Sequence, residues 1–310
     1  MARADLALRL PNWIGDCIMA LPAVQALRDR GVRLHCFGRA WAPDLLAGEG
    51  LAVTVLPEQQ RGLHPRLLAA SGARRGLLLT HSLSTAVAMK RAGIPAIGYD
   101  RDGRGPSLRH RVAWPRGVHE VRRYWLLAEA ARRWVAATTP RLEREPPWCQ
   151  LALPPAAADG VAAWRAAGLD DQVIAVCPMA TGTVKGRSKH WPHFEALVAL
   201  LIEQQRPLAI IAPPGQTASL QARFPAVAVI GDLSLPAFIG VLASAGAVVS
   251  NDSGPMHLAT AVGTPTVVPF GVTSPRRTGA WSPQLRAVTD GAPWPSIQQV
   301  AAALGTVGQH

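Results

Sequence analysis

Short apolar bursts alternate along the chain with longer stretches of helical periodicity, and this rhythm predicts alternating strands and helices. LALRL (6–10) predicts a strand, PNWIGD a turn, and 17–28 an apolar helix closed by Gly31. Strands are then expected at 32–37, 51–56, 76–81 and 95–99, with one helix ending near Gly93 and a long one over 121–135. The pattern breaks at 140–160, PRLEREPPWCQLALPPAAADG, where five prolines predict an extended linker and a domain boundary. A second alternation follows. Helices at 159–167 and 194–205 accompany strands at 173–178, 208–213, 226–231, 247–251 and 266–271. The fold class expected is α/β: two Rossmann-like doubly wound domains, 1–150 and 151–310, facing a central cleft.

Composition narrows the class. The 310 residues are 49% hydrophobic and 17% charged, which excludes collagen-like and disordered chains. No apolar run approaches the roughly 20 residues that span a bilayer. Arg9, Asn12 and Asp16 interrupt the N-terminal apolar stretch, so no signal-peptide core forms and a cytoplasmic location is expected. Four scattered cysteines, at 17, 36, 149 and 177, make neither a disulfide framework nor a zinc site. No metal and no cofactor is expected.

Charge separates the halves. The net charge is +12, of which +11 falls in residues 1–150 and +1 in 151–310. It is arginine charge, since the only lysines are Lys90, Lys185 and Lys189. Guanidinium forks suit phosphate and carboxylate, so the N-terminal half is expected to meet an anionic partner.

Four segments could carry chemistry. Gly15-Asp16 lies at the first strand-to-helix junction, where Asp16 is either an N-cap or a general base at the mouth of a cleft. Asn251-Asp252-Ser253-Gly254-Pro255-Met256-His257 follows a strand and opens a helix whose free N–H groups favour phosphate; capping, with a packed His257, fits equally. Lys189 precedes another helix and is either a phosphate ligand or a solvated lysine. Seven arginines crowd 101–123, a segment expected to be a loop, either mobile or phosphate-binding. Neither G-x-G-x-x-G nor a P-loop is present; the sequence from Gly182 to Ser188 is one residue short and has Arg187 where a P-loop has lysine.

LPNWIGDCIMALPAVQALR and SNDSGPMHLATAVGTPTVVPFGVTSP resemble the N- and C-terminal signatures of glycosyltransferase family 9, the ADP-heptose:lipopolysaccharide heptosyltransferases, nearest the heptosyltransferase II branch. The likeness runs over about residues 5–283, through CPMATGTVKGRSKHWPHFEALVALL and GDLSLPAFIGVLASAGAVVSNDSG. It implies a GT-B fold and inverting, metal-independent heptose transfer from ADP-L-glycero-D-manno-heptose. Asp16 would then deprotonate the acceptor hydroxyl. Thr181, Thr183, Lys189, Asp252, Ser253, Gly254 and His257 would hold the donor diphosphate in the C-terminal domain. Arg104, Arg109 and Arg111 would meet an anionic lipid A–Kdo acceptor on the N-terminal domain, with peripheral contact at the cytoplasmic face of the inner membrane. Relatives carry an acidic residue for the ribose after the strand equivalent to 208–213; here Pro213-Pro214-Gly215-Gln216-Thr217 holds none.

Two other classes fit less well. A GT-B nucleotide-sugar epimerase needs more acids and histidines in its cleft than this N-terminal half offers. A non-enzymatic binder of nucleic acid or acidic lipid would interleave basic residues with aromatics, which are only 5% of the chain, so no nucleic-acid partner is expected.

Overall fold

The computed structural model describes residues 4–180, 182–289 and 293–306. The chain divides into two compact units, Met1–Pro147 and Trp148–His310.

The N-terminal unit contains β1 (Asp5–Arg9), α1 (Ile14–Asp29), β2 (Arg33–Gly38), α2 (Ala42–Leu46), β3 (Val53–Val55) and α3 (His64–Ala69). It continues through β4 (Gly76–Leu78), α4 (Leu83–Arg91), β5 (Ala96–Tyr99), β6 (His110–Val112) and α5 (Glu120–Val135). Its six strands are parallel in the order β3-β2-β1-β4-β5-β6. Sequential order reverses between β1 and β4, the switch point at which doubly wound sheets open a crevice beyond their carboxyl ends. Leu6, Ala7 and Leu8 are fully buried, as expected of a central strand covered on both faces. Ala7, Phe37, Leu68, Leu78, Met89 and Ile94 form one core layer.

The C-terminal unit contains α6 (Ala157–Ala166), β7 (Ile174–Cys177), the hairpin β8 (Thr183–Val184) and β9 (Arg187–Ser188), α7 (Phe194–Glu203), β10 (Leu208–Ile211) and α8 (Thr217–Arg223). β11 (Ala228–Ile230), α9 (Leu235–Ser244), β12 (Ala247–Ser250), α10 (Gly254–Ala261), β13 (Thr266–Pro269), α11 (Pro275–Thr278), β14 (Leu285–Val288) and α12 (Ile297–Gly305) complete it. The large sheet is again parallel, in the order β11-β10-β7-β12-β13-β14, with its switch point between β7 and β12. Helices α6 and α9 touch backbone to backbone. A Cβ on Gly160 would stand 1.8 Å from the Ala237 carbonyl oxygen, and one on Gly240 2.0 Å from that of Ala157.

The proline-rich stretch is not a free linker. Cys149 and Leu151 are buried and donate their N–H groups to Trp281 and Ala261, while Leu142 is held by the Glu129 carboxylate in the other unit. The segment 101–123 is not a continuous loop either. It forms β6, paired with β5, and then enters α5. All four cysteines are free and buried, and burial raises every one of their thiol pKa values, to about 12 for Cys36, Cys149 and Cys177.

Candidate functional site

In the N-terminal unit, the turn after β1 places Trp13 at the N-cap of α1, so Asp16 is the third helical residue and not the cap. Its carboxylate sits in the first turn, where the helix dipole favours negative charge. Gly15 lies inside the helix and takes no left-handed φ. The turn itself is held by Arg9. That side chain is 7% exposed and donates to the Leu10 carbonyl at 2.5 Å and to Asn12 Oδ1 at 2.6 Å.

Arg9 is also one wall of a cavity of about 670 Å³ at the carboxyl edge of β1–β4. Arg39, Arg61, Arg66 and Arg91 line the same cavity, with Glu58 paired to Arg39. Burial, and then the neighbouring Arg39, lower the Arg9 pKa to about 10. A concave surface with this many guanidinium groups is an anion site in waiting. Sequence reasoning missed it because its arginines are far apart along the chain: Arg9 ends β1, Arg39 follows β2, Arg61 and Arg66 lie just before and within α3, and Arg91 ends α4.

The arginines singled out at 101–123 divide. Arg109 and Arg111 are exposed, whereas Arg104 is completely buried and cannot meet an acceptor. Its guanidinium donates to the carbonyls of Tyr99, at 2.7 Å, and Thr80. Arg104 closes the backbone between β4 and β5, and burial lowers its pKa to about 10. Arg104→Ser is therefore expected to destabilise the fold by about 2–4 kcal/mol, because two buried carbonyls lose their donor beside a new cavity. Chemical denaturation should show that loss, with Arg109→Ser and Arg111→Ser within about 0.5 kcal/mol of wild type.

In the C-terminal unit, two loops meet across the switch point. The β8–β9 hairpin turns through Lys185 and Gly186, both at positive φ, the conformation of a tight two-residue hairpin rather than a phosphate loop. Lys189 follows β9 and is anchored by its N–H to the Gly182 carbonyl. Its Nζ lies 3.1 Å from Asp252 Oδ2 and 3.0 Å from the Asp252 carbonyl oxygen. Asp252 is buried between β12 and α10. Asn251 ties the same loops: its amide donates to the Pro178 carbonyl and its oxygen accepts the Trp191 N–H, both at 2.8 Å.

The N-terminus of α10 has no side-chain cap. Ser253 Oγ turns back to the Asn251 carbonyl and Asp252 faces Lys189, so what this end offers an anion is the N–H groups of Gly254 and Met256, Pro255 having none, and the lysine. His257 is buried one turn into the helix. Thr183 is exposed on the hairpin, and Thr181 lies outside the described residues.

One acidic group was missed. Asp232, just after β11, accepts hydrogen bonds from Thr217 Oγ1 at 2.6 Å and from the Gly215 N–H at 2.8 Å. These two donors, the hydroxyl first, hold its carboxyl pKa below the ordinary range. Gly231 permits the approach, since a Cβ there would stand 2.1 Å from Thr217 Oγ1. A carboxylate thus does stand beside the 213–217 stretch, brought there from the loop after β11. Among the described residues, no group of three or more His, Cys, Asp or Glu side chains is placed to hold a metal.

Two parallel six-stranded units, each with its polar groups gathered at the carboxyl edge around a switch point, are the GT-B architecture. Residues 64–303 match glycosyltransferase family 9 (heptosyltransferase), and the chain belongs to that family. It is 24% identical to lipopolysaccharide heptosyltransferase 2 of Escherichia coli over 90% of this chain and 86% of the relative. A shorter match, 34% identical, joins a third of each chain to lipooligosaccharide heptosyltransferase 2 of Haemophilus influenzae. The solved structure of E. coli ADP-heptose LPS heptosyltransferase II superposes with a TM-score of 0.78 at 22% identity, covering 98% of both chains. The protein is a glycosyltransferase, which displaces the epimerase and non-enzymatic readings.

Proposed function

We propose that the enzyme moves a heptose from ADP-L-glycero-D-manno-heptose to the anionic inner core of lipopolysaccharide. The observation that carries this reading is Lys189 poised over the open N-terminus of α10, a cation and a helix dipole arranged for a diphosphate. In the C-terminal unit, 151–310 by the sequence boundary, Lys189 and the N–H groups of the α10 first turn take the diphosphate. Thr183 and His257 flank it, and Asp232 takes the ribose hydroxyls. In the N-terminal unit, Asp16 removes the proton from the acceptor hydroxyl. The oxygen attacks the anomeric carbon, the bond to phosphate breaks, and ADP departs with its new charge opposite Lys189.

The acceptor's phosphates and carboxylates dock in the arginine cavity, with Arg109 and Arg111 at the exposed edge of the same unit. Peripheral contact with the cytoplasmic face of the inner membrane follows from an acceptor that is a lipid. Among the described residues no helix is long and apolar enough to cross it.

Two measurements test the reading. At about 100 times its dissociation constant, ADP should stabilise the protein by about 2.7 kcal/mol, and UDP, GDP or CMP should not. The triple variant Arg61→Ser, Arg66→Ser, Arg91→Ser should raise the acceptor KM at least tenfold and flatten its salt dependence, with donor affinity unchanged. Stabilisation by UDP in preference to ADP, or an unmoved acceptor KM, would overturn it.

A further inference from the structure

The turn that follows β1 is built on a buried arginine. Arg9 Nη1 donates to the carbonyls of Leu10, at 2.5 Å, and Phe37, at 3.4 Å, and its Nη2 donates to Asn12 Oδ1 at 2.6 Å. A guanidinium carries donors only, so the Asn12 atom that faces it is the amide oxygen, and the amide cannot be turned the other way. Asn12 is half-buried and lines the arginine cavity beside Arg9. With its oxygen engaged, the polar group it has left to present there is the Nδ2 amine, which makes no hydrogen bond among the described residues.

The choice of an amide at this position calls for a reason. Among the described residues no carboxylate pairs with Arg9, whose partners are three neutral oxygens. For the fold alone, aspartate at position 12 would satisfy that buried cation better, since charge-assisted hydrogen bonds are about twice as strong as neutral ones. Asparagine forgoes that gain and keeps two N–H donors, which a carboxylate lacks. A polar group held at a cost in stability, on the wall of a concave surface, marks a ligand contact. Its place in the chain fits that role. Asn12 directly precedes Trp13, the α1 N-cap, and Asp16 is the third residue of the same helix, so donor and base belong to one turn.

We propose that Asn12, its amide held by Arg9, is a substrate-contacting residue that donates from Nδ2 to a hydroxyl oxygen of the acceptor sugar lodged in the arginine cavity. This rests on the reading that the N-terminal unit takes the acceptor. The arginines hold the charged groups of that acceptor. Asn12 reads an uncharged oxygen, which a cation cluster by itself would not discriminate, and so sets how the sugar approaches the turn that carries Asp16.

The test is steady-state transfer to a deacylated, Kdo-bearing inner-core oligosaccharide by Asn12→Asp, which keeps the oxygen that Arg9 needs and removes only the donors. The acceptor KM should rise about tenfold, with the donor Kd unchanged and Tm at or above wild type. Because aspartate also adds a negative charge, the ratio of variant to wild-type KM is read again in about 1 M salt, where the Debye length is about 3 Å. Repulsion fades there, whereas loss of a direct donor persists. Asn12→Ala, which is neutral, should raise KM similarly but with a lower Tm, since Arg9 loses an acceptor. In ¹⁵N-labelled protein, the Asn12 side-chain amide, identified by its absence from Asn12→Asp, should shift with the oligosaccharide and not with ADP alone. An acceptor KM unmoved in either variant, an Asn12→Asp effect that vanishes in high salt, or an amide resonance blind to the oligosaccharide would overturn the proposal. An oligosaccharide KM that responds to the cavity arginines but not to Asn12 refutes this assignment alone. A KM indifferent to both refutes the acceptor reading beneath it.

Discussion

Asp16→Asn is expected to lower kcat by about 10²–10⁴-fold, the range that a positioned general base contributes. Donor affinity and Tm should stay close to wild type. The reason lies in its place at the third residue of α1, with Trp13 as the cap. Asn caps a helix nearly as well as Asp, so the substitution would spare even a capping role. Here the amide keeps the size and polarity of the side chain and removes only its basicity. The small loss of favourable charge at the helix start amounts to about 0.3–1 kcal/mol, too little to unfold the unit. Single-turnover kinetics with saturating donor would isolate the chemical step, and wild-type turnover in the Asn variant would remove Asp16 from the mechanism.

Lys189→Ala should weaken donor binding at least tenfold while leaving adenosine binding nearly untouched, because its charge-assisted contact is to the diphosphate. The structure adds a second consequence. Lys189 also neutralises Asp252, a buried carboxylate, so the Ala variant should lose on the order of 1–3 kcal/mol of stability as well. The two effects separate in a double variant. Adding Asp252→Asn removes the stranded charge and should restore most of the stability, yet donor affinity should remain low. Recovery of ADP binding in the double variant would mean that Lys189 serves the fold and not the ligand. Calorimetric titration with ADP and with adenosine, alongside denaturant midpoints, reads both quantities.

Both sheets were legible from sequence because their central strands are continuous apolar runs with glycine or proline at the ends. AVVS and IAVC, buried at every position, could hardly be anything else. What escaped was short or polar. β6 is His-Arg-Val, two polar residues of three, and only its pairing with β5 makes it a strand. The β8–β9 hairpin has two residues on each side, below the length at which alternation can be seen. Site chemistry was legible where it lay within one loop, as in Gly15-Asp16 and Asn251–Gly254. Groups assembled from distant segments were not. Asp232 reaches Thr217 across the β10–β11 edge, and the cavity arginines come from two strand ends and two helices. Arg104 shows the converse difficulty. In sequence it is one arginine among seven, and only tertiary structure turns it inward to two carbonyls.

The four buried thiols have a practical meaning for measurement. Burial pushes all four pKa values up, to about 12 at Cys36, Cys149 and Cys177, so at pH 8 thiolate is far scarcer than in an unperturbed cysteine. Maleimides and methanethiosulfonates act on the thiolate, and here they find it both scarce and out of reach. The native chain is therefore chemically silent towards spectroscopic tags, with no need to strip its own cysteines and disturb the core around them. One cysteine introduced on the surface of each unit, away from both switch points, would take a fluorophore or spin label selectively. Changes in each tag's signal would then report donor or acceptor arriving at its own unit.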